Sequence, residues 1–172
     1  VDYILRAVKV NVNNFWFGIS PQGRFYSTIT SLPSIITPFI RLSGKEVVSI
    51  DISNFHPLII SSLIENKDYQ NDVEKGKFYE KLAMIMYGNK QKTTIQKAKL
   101  EVMLRFFSLH QLKSGNFVDA MNFLYPNFIA QLNAIKATDK VAHITHTIES
   151  EIMVRGVGSL NINKLLKHDE VM

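Results

Sequence analysis

Cysteine is missing from the 172-residue chain, which excludes disulfides and thiolate-bound metals as sources of stability or chemistry. Glycine and proline are few, eight and five residues, and no low-complexity tract or internal repeat occurs. Neither GxxxxGK[ST] nor GxGxxG is present, so the two common glycine-rich phosphate cradles are excluded. Long hydrophobic runs are lacking too. The longest apolar stretch, SLPSIITPFI, is broken by Pro33 and Pro38 and is too short to span a bilayer. With no secretory leader either, the expectation is a cytoplasmic protein with no membrane partner. What is present is an ordinary globular mixture, 46% hydrophobic and 20% charged. Lys and Arg outnumber Asp and Glu by 20 to 15, and the net charge of +5 suits a polyanionic partner such as nucleic acid. Because the chain starts at Val1 and stops two residues after Glu170, we expect a larger polypeptide cut at both ends.

Hydrophobic periodicity predicts a β, loop, β, helices, β order. A strand is expected over YILRAVKVNV (3–12), followed by a loop through NNFWFGISPQG. An extended, irregular connector is expected from Gly23 to Gly44. KEVVSIDIS (45–53) is a strand by alternation, with Asp51 near its end. Asn54 is a candidate cap for the helix FHPLIISSLIEN, whose first turn tolerates Pro57. Helices come next over 76–88, ending at Gly88, over 92–108, over NFVDAMNFLYPNFIAQLNAIKA with a break before Pro126, and over DKVAHITHTIESEIMVRGVG. SLNINKLLKHDEVM closes as a short strand approaching a turn. The fold class expected is α+β, a small antiparallel sheet with helices packed on one side.

Two carboxylates, Asp51 and Asp169, each stand at the edge of a β-type segment. If those strands are neighbours, the pair is hard to keep ionised without a cation between them, and Mg²⁺ takes such oxygen donors. Two metals so held clamp the attacking and leaving oxygens of a phosphoryl transfer; the simpler account is that each Asp ends a strand. On the helix over 92–108, Lys97, Glu101 and Arg105 form a salt-bridged row, while Lys99, Met103 and Phe107 form a cation-led apolar row. That second row suits a phosphate and a base, or equally a lysine snorkelling from a core-facing helix. Arg24 and Arg41 flank the connector as candidate phosphate contacts, each equally able to form a surface salt bridge. His143 and His146 have metal-ligand spacing but no third ligand near in sequence, so a structural pair is the simpler account.

In order, these segments resemble the palm-and-fingers core of family A DNA polymerases, whose superfamily includes the phage-type single-subunit RNA polymerases. GRFYSTITSLPSIITPFIR resembles the family's connector at Gly23, Arg24, Ser27, Leu32, Pro33 and Arg41. VVSIDISNFHPLII resembles motif A, with Asp51 as the metal-binding residue. AKLEVMLRFFS resembles motif B through Ala98, Lys99 and Phe107, and KHDEV resembles motif C through His168, Asp169 and Glu170. The motif A form is most similar to divergent polymerases of phages or mobile elements. The resemblance implies a palm sheet with a helical fingers portion. Its divisions would be an N-terminal strand and loop (1–22), palm with motif A (23–75), fingers-like helices with motif B (76–137), and palm helix with motif C hairpin (138–172).

The roles implied are specific. Asp51 and Asp169 hold two Mg²⁺ ions, for which Mn²⁺ can substitute, and Glu170 completes the catalytic group. Lys99 meets the phosphates of a nucleoside triphosphate, Phe107 stacks near the nascent base pair, and His56 takes the place of the glutamate that screens the ribose 2′-OH. Arg24, Arg41 and His168 contact a DNA primer–template. Three departures stand out: Ile95 where the family has an arginine, leaving Lys92 or Lys97 to replace it; Ser108 where it has glycine; and His56 itself. No thumb or exonuclease region is recognisable, so further domains or a partner protein are expected. The function implied is template-directed extension of a 3′-hydroxyl in a bacterial or phage-infected cell. The alternatives are a non-catalytic nucleic-acid-binding palm and a metal-dependent nuclease.

Overall fold

Phe78, Leu82 and Ala83 recur at helical spacing and are fully buried, and Gly88 comes after them with φ 74° and its N–H on the Met84 carbonyl. A left-handed C-terminal glycine of this kind stops a helix cleanly. The computed structural model describes residues 16–27, 35–42, 44–46, 50–157, 166–167 and 170–171. The strand expected over 3–12, the middle of the strand expected over 45–53, and His168 and Asp169 lie outside the described residues.

The described chain is mostly helical. Its seven α-helices are α1 (Phe55–Leu63), α2 (Lys67–Glu74), α3 (Phe78–Tyr87), α4 (Lys92–Phe106), α5 (Asn116–Leu124), α6 (Phe128–Thr138) and α7 (Val141–Glu151). A 3₁₀ turn covers Thr37–Phe39 and a π-helical stretch Ile152–Val157. Seven short strands among the described residues form small antiparallel ladders: β1 (Phe17–Ile19) with β2 (Phe25–Ser27), β3 (Arg41–Leu42) with β4 (Lys45–Glu46), and β5 (Ile50–Asp51), β7 (Glu170–Val171) and β6 (Leu166–Lys167) in the order β5-β7-β6. The chain divides into two compact units, Val1–Ile52 with His146–Met172, and Ser53–Thr145. None of the described helices is long and apolar enough to cross a membrane.

In the unit Ser53–Thr145 the core is built on aromatics. Tyr69, fully buried, meets Phe78 at 5.1 Å, Tyr125 at 5.3 Å and Phe128 at 4.6 Å between ring centroids. Its hydroxyl donates to the Pro57 carbonyl at 3.2 Å, so the polar tip is satisfied where the ring is dry. Asp72, also buried, accepts from Lys81 Nζ at 2.6 Å and from the Tyr125 hydroxyl at 3.1 Å. Phe106 of α4 stacks on Phe128 of α6, each burial contributing about 1.5–3 kcal/mol.

Three local expectations are corrected. The stretch expected as loop through 13–23 contains β1, which pairs with β2 from Phe17↔Ser27 to Ile19↔Phe25 across a turn at Pro21 and Gln22. Asn54 precedes α1, but its φ of 59° turns its side chain from the helix amides, and Nδ2 donates to the Val73 carbonyl at 3.5 Å. The helix α2, unforeseen because its sequence is polar, is started by Asn66, whose side chain accepts the Tyr69 N–H at 2.9 Å. The break before Pro126 is as expected: Tyr125, Pro126 and Asn127 separate α5 from α6, with Asn127 at φ 64°.

Candidate active site

Hydrophobic alternation carries Ile50 and Asp51 into a strand, and the sheet decides what faces them. β5 runs antiparallel to β7 with Ile50 opposite Val171 and Asp51 opposite Glu170. β7 pairs in turn with β6, Lys167 opposite Glu170, and the chain between these partners is His168 and Asp169. Directly opposed residues of an antiparallel ladder have Cα atoms about 4.5–5.5 Å apart. Two segments from far apart in the chain therefore meet in register, with Asp51 opposite Glu170.

Elsewhere in the same unit, Ser20 shapes the approach of Arg24. The Arg24 N–H donates to Ser20 Oγ at 3.1 Å and the Gly23 N–H to the Ser20 carbonyl at 2.9 Å. Gly23 has φ 79°, a backbone conformation that favours glycine, while a Cβ there would stand in ordinary contact, 3.4 Å from Ser150 Cβ. Arg24 Nη2 then donates to Glu149 Oε1 at 3.0 Å, and Nη1 lies 3.4 Å from His146 Nε2. Glu149 is 1% exposed, so its charge rests on the guanidinium. Arg41 donates to the Pro38 and Ile40 carbonyls and to Glu46, each at 3.0 Å, beside the β3–β4 ladder, and its side chain stays 41% exposed.

In the unit Ser53–Thr145, α4 carries two adjacent rows. Ala98, Val102 and Phe106 are buried in the core; in the neighbouring row Lys99 and Met103 are exposed, while Phe107 is half-buried against the core. Lys99 Nζ stands 5.2 Å above the Tyr79 ring, a cation–π contact. Burial pushes the Tyr79 phenol up to about 12, so the ring below the lysine stays neutral. At the other end of the row, Phe107 meets the His56 ring edge-to-face, 5.3 Å between centroids at 78°. The structure thus brings together two residues that the motifs name separately. Arg105 pairs with Glu101 at 3.2 Å as the i,i+4 spacing implies, and Ile95 is half-buried against the core. Lys92 and Lys97 are exposed.

Three contributing residues carry no motif. Tyr79 lies on α3 and reads as core by periodicity; only its contact with Lys99 gives it a further part. Lys136 joins the segment after α4 through hydrogen bonds to Arg105, Ser108 and His110. Glu149 has a signal in the sequence, since it continues the i,i+3 spacing of His143 and His146 on α7. That row does not read as a histidine pair in the structure: His143 is exposed, while His146 sits beside Arg24.

No protein-family model, no curated protein and no solved structure matches this chain.

Proposed function

We propose that this chain is the catalytic portion of a template-directed nucleotidyltransferase of the family A DNA polymerase type. The observation that carries the assignment is the β5–β7 register, in which Asp51 lies opposite Glu170 in a hairpin whose sequence includes His168 and Asp169. Convergence of the two carboxylate-bearing segments is a requirement of two-metal chemistry in a sequence that separates them so widely. The donor set fits Mg²⁺ by its chemistry: the acids at this ladder offer hard oxygens, and the chain has no thiol to favour a softer ion. Asp51 and Asp169 would hold the ions, which when bound lower the pKa of the primer 3′-hydroxyl and neutralise charge on the triphosphate.

The Lys99–Met103–Phe107 row of α4 supports the same assignment. A lysine at one end, an apolar residue in the middle and an aromatic at the other suit a triphosphate and a base in that order. Phe107 and His56 would border the sugar and base of the incoming nucleotide, and His56 would bear on its choice between deoxyribose and ribose. Arg24, held by Glu149, would present its guanidinium to a primer–template backbone, with Arg41 and His168 as further contacts and Glu170 beside the primer end. The partners are therefore a DNA primer–template and nucleoside triphosphates, and the place of action is the cytoplasm of a bacterium or infected cell.

One observation favours a second assignment, a nucleic-acid-binding palm without catalysis. Ile95 packs against the core where the family carries a phosphate-binding arginine. Primer extension by the full-length protein separates the two, run with Mg²⁺ or Mn²⁺ and with deoxy- and ribonucleotides in separate reactions. We expect extension, and a loss of about a thousandfold or more in Asp51→Ala and Asp169→Ala. A wild-type protein that binds primer–template yet adds no nucleotide supports the non-catalytic palm. Undiminished extension by either variant refutes the metal assignment.

A further inference from the structure

α4 ends at Phe106 and is followed by Phe107-Ser108, and no residue from Arg105 to Ser108 takes the left-handed conformation that usually closes a helix. Such an ending leaves carbonyls of the last turn without amide partners. The Phe107 N–H serves the Met103 carbonyl at 3.2 Å. A side chain from the last turn of α6 serves the carbonyls beyond it. Lys136 Nζ lies 2.7 Å from the Arg105 carbonyl, 2.7 Å from the Ser108 carbonyl, 2.8 Å from Ser108 Oγ and 3.3 Å from the His110 carbonyl. Ser108 Oγ is itself 3.0 Å from the Arg105 carbonyl and 3.1 Å from that of His110, so ammonium and hydroxyl form one knot.

Two features separate this knot from a surface lysine that has found an ion pair. All four acceptors are neutral, so the ammonium meets the partial negative charge of a helix end rather than a counter-ion. Burial also pulls its pKa down by desolvation, a cost that a solvated lysine avoids. The two shortest carbonyl contacts bracket Phe107, one before it in sequence and one after it. A cavity of about 430 Å³, lined by Phe107, Ser108, Leu109, Lys136, Lys140 and His143 among others, opens beside the knot. Packing on that side therefore supplies little to hold the segment if the lysine is removed.

We propose that Lys136 is a positioning residue that closes α4 in place of a C-terminal glycine and so sets the Phe107 ring against His56. The proposal rests on the assignment of the Lys99–Phe107 row to nucleotide binding. It makes nucleotide affinity and sugar choice depend on a side chain of α6 that touches neither nucleotide nor metal.

Hydrogen exchange over residues 105–110 and steady-state nucleotide incorporation, both on the full-length protein, test it together. Lys136→Met keeps the side chain's length and removes its donors. We expect exchange at 107–110 to quicken about tenfold, the rest of α6 being unchanged. Nucleotide KM should rise about tenfold while kcat stays within about threefold, and the deoxy-to-ribo preference should shift. Lys136→Arg should recover most of both. Ser108→Gly in the Lys136→Met background should recover them too, because glycine can close the helix unaided. A purely structural lysine would lower the active fraction, hence kcat, and leave KM and sugar preference alone; that result overturns the proposal. Unchanged exchange at 107–110 in Lys136→Met overturns it as well. A wild-type protein that incorporates no nucleotide sinks the polymerase assignment and the nucleotide half of the proposal with it, while the exchange arm still decides whether Lys136 closes α4.

Discussion

Glu149 shows how one side chain can hold another in place. The carboxylate is almost wholly buried, and Arg24 meets it at 3.0 Å with its own side chain 18% exposed. Removing one partner of a buried pair strands the other charge, at a cost of about 3–5 kcal/mol. Glu149→Ala is therefore expected to lower the unfolding free energy by about that amount, measured by urea denaturation. Glu149→Gln should lose less, because its carbonyl oxygen still accepts from Nη2. Equal stability of wild type and Glu149→Ala would show that the guanidinium finds another acceptor. Arg24 is visible in the sequence beside Gly23, but its pairing with Glu149 is not, since the two lie toward opposite ends of the chain and nothing local links them.

Within a single element, α4 carries a buried row that serves stability and an adjacent row to which the proposed function assigns nucleotide binding. Phe106 is 1% exposed and stacks on Phe128 at 5.6 Å, whereas Lys99 is exposed and touches the face of Tyr79. Phe106→Ala is expected to destabilise the protein by about 3–5 kcal/mol. Lys99→Ala should stay within about 0.5 kcal/mol of wild type, yet raise the nucleotide KM about tenfold. Thermal melting and nucleotide titration on the same samples check the split, and a Lys99→Ala protein with unchanged KM removes Lys99 from the nucleotide site. Both rows are legible from periodicity, because a helix repeats every 3.6 residues and Ala98, Val102 and Phe106 fall one step behind Lys99, Met103 and Phe107. Which row is buried is not legible, since Met103 and Phe107 are as apolar as their neighbours. The end of α4 falls at Phe106, two residues short of the expected 108, for a related reason. Ser108 offers no stop signal of its own, and the closing group arrives from α6.

Across the whole molecule, the aromatic core gives the chain a marked alkaline limit. Tyr79 has its phenol raised from the ordinary 10 to about 12 by burial, and burial also holds Tyr69 and Tyr125 well above their ordinary value. Asp72, beside the Tyr125 hydroxyl, adds to the rise there. A phenol whose native pKa is raised keeps its proton when the unfolded chain has lost it. The native state then binds more protons, so stability falls with rising pH. The stabilisation is intact below about pH 10 and drains away as pH climbs through 12 and beyond. Tyrosinate absorbance followed with helical circular dichroism tests this: the buried tyrosines should ionise together with loss of helix. Ionisation of all the tyrosines near pH 10 with helix intact would contradict it.

Local sequence settles the helix stops at Gly88 and before Pro126, and the identity of the acids, the lysine and the aromatics that carry the resemblance. Those properties follow from local chemistry: backbone freedom, side-chain period and residue type within a few turns. Only in three dimensions does Asp51 lie opposite Glu170, Phe107 meet His56, Glu149 fix Arg24 and Lys136 end α4. Each of these joins residues distant in the chain, and their meeting depends on which apolar faces bury together. That choice is made by the packing of the core as a whole, to which no single stretch of sequence holds the key.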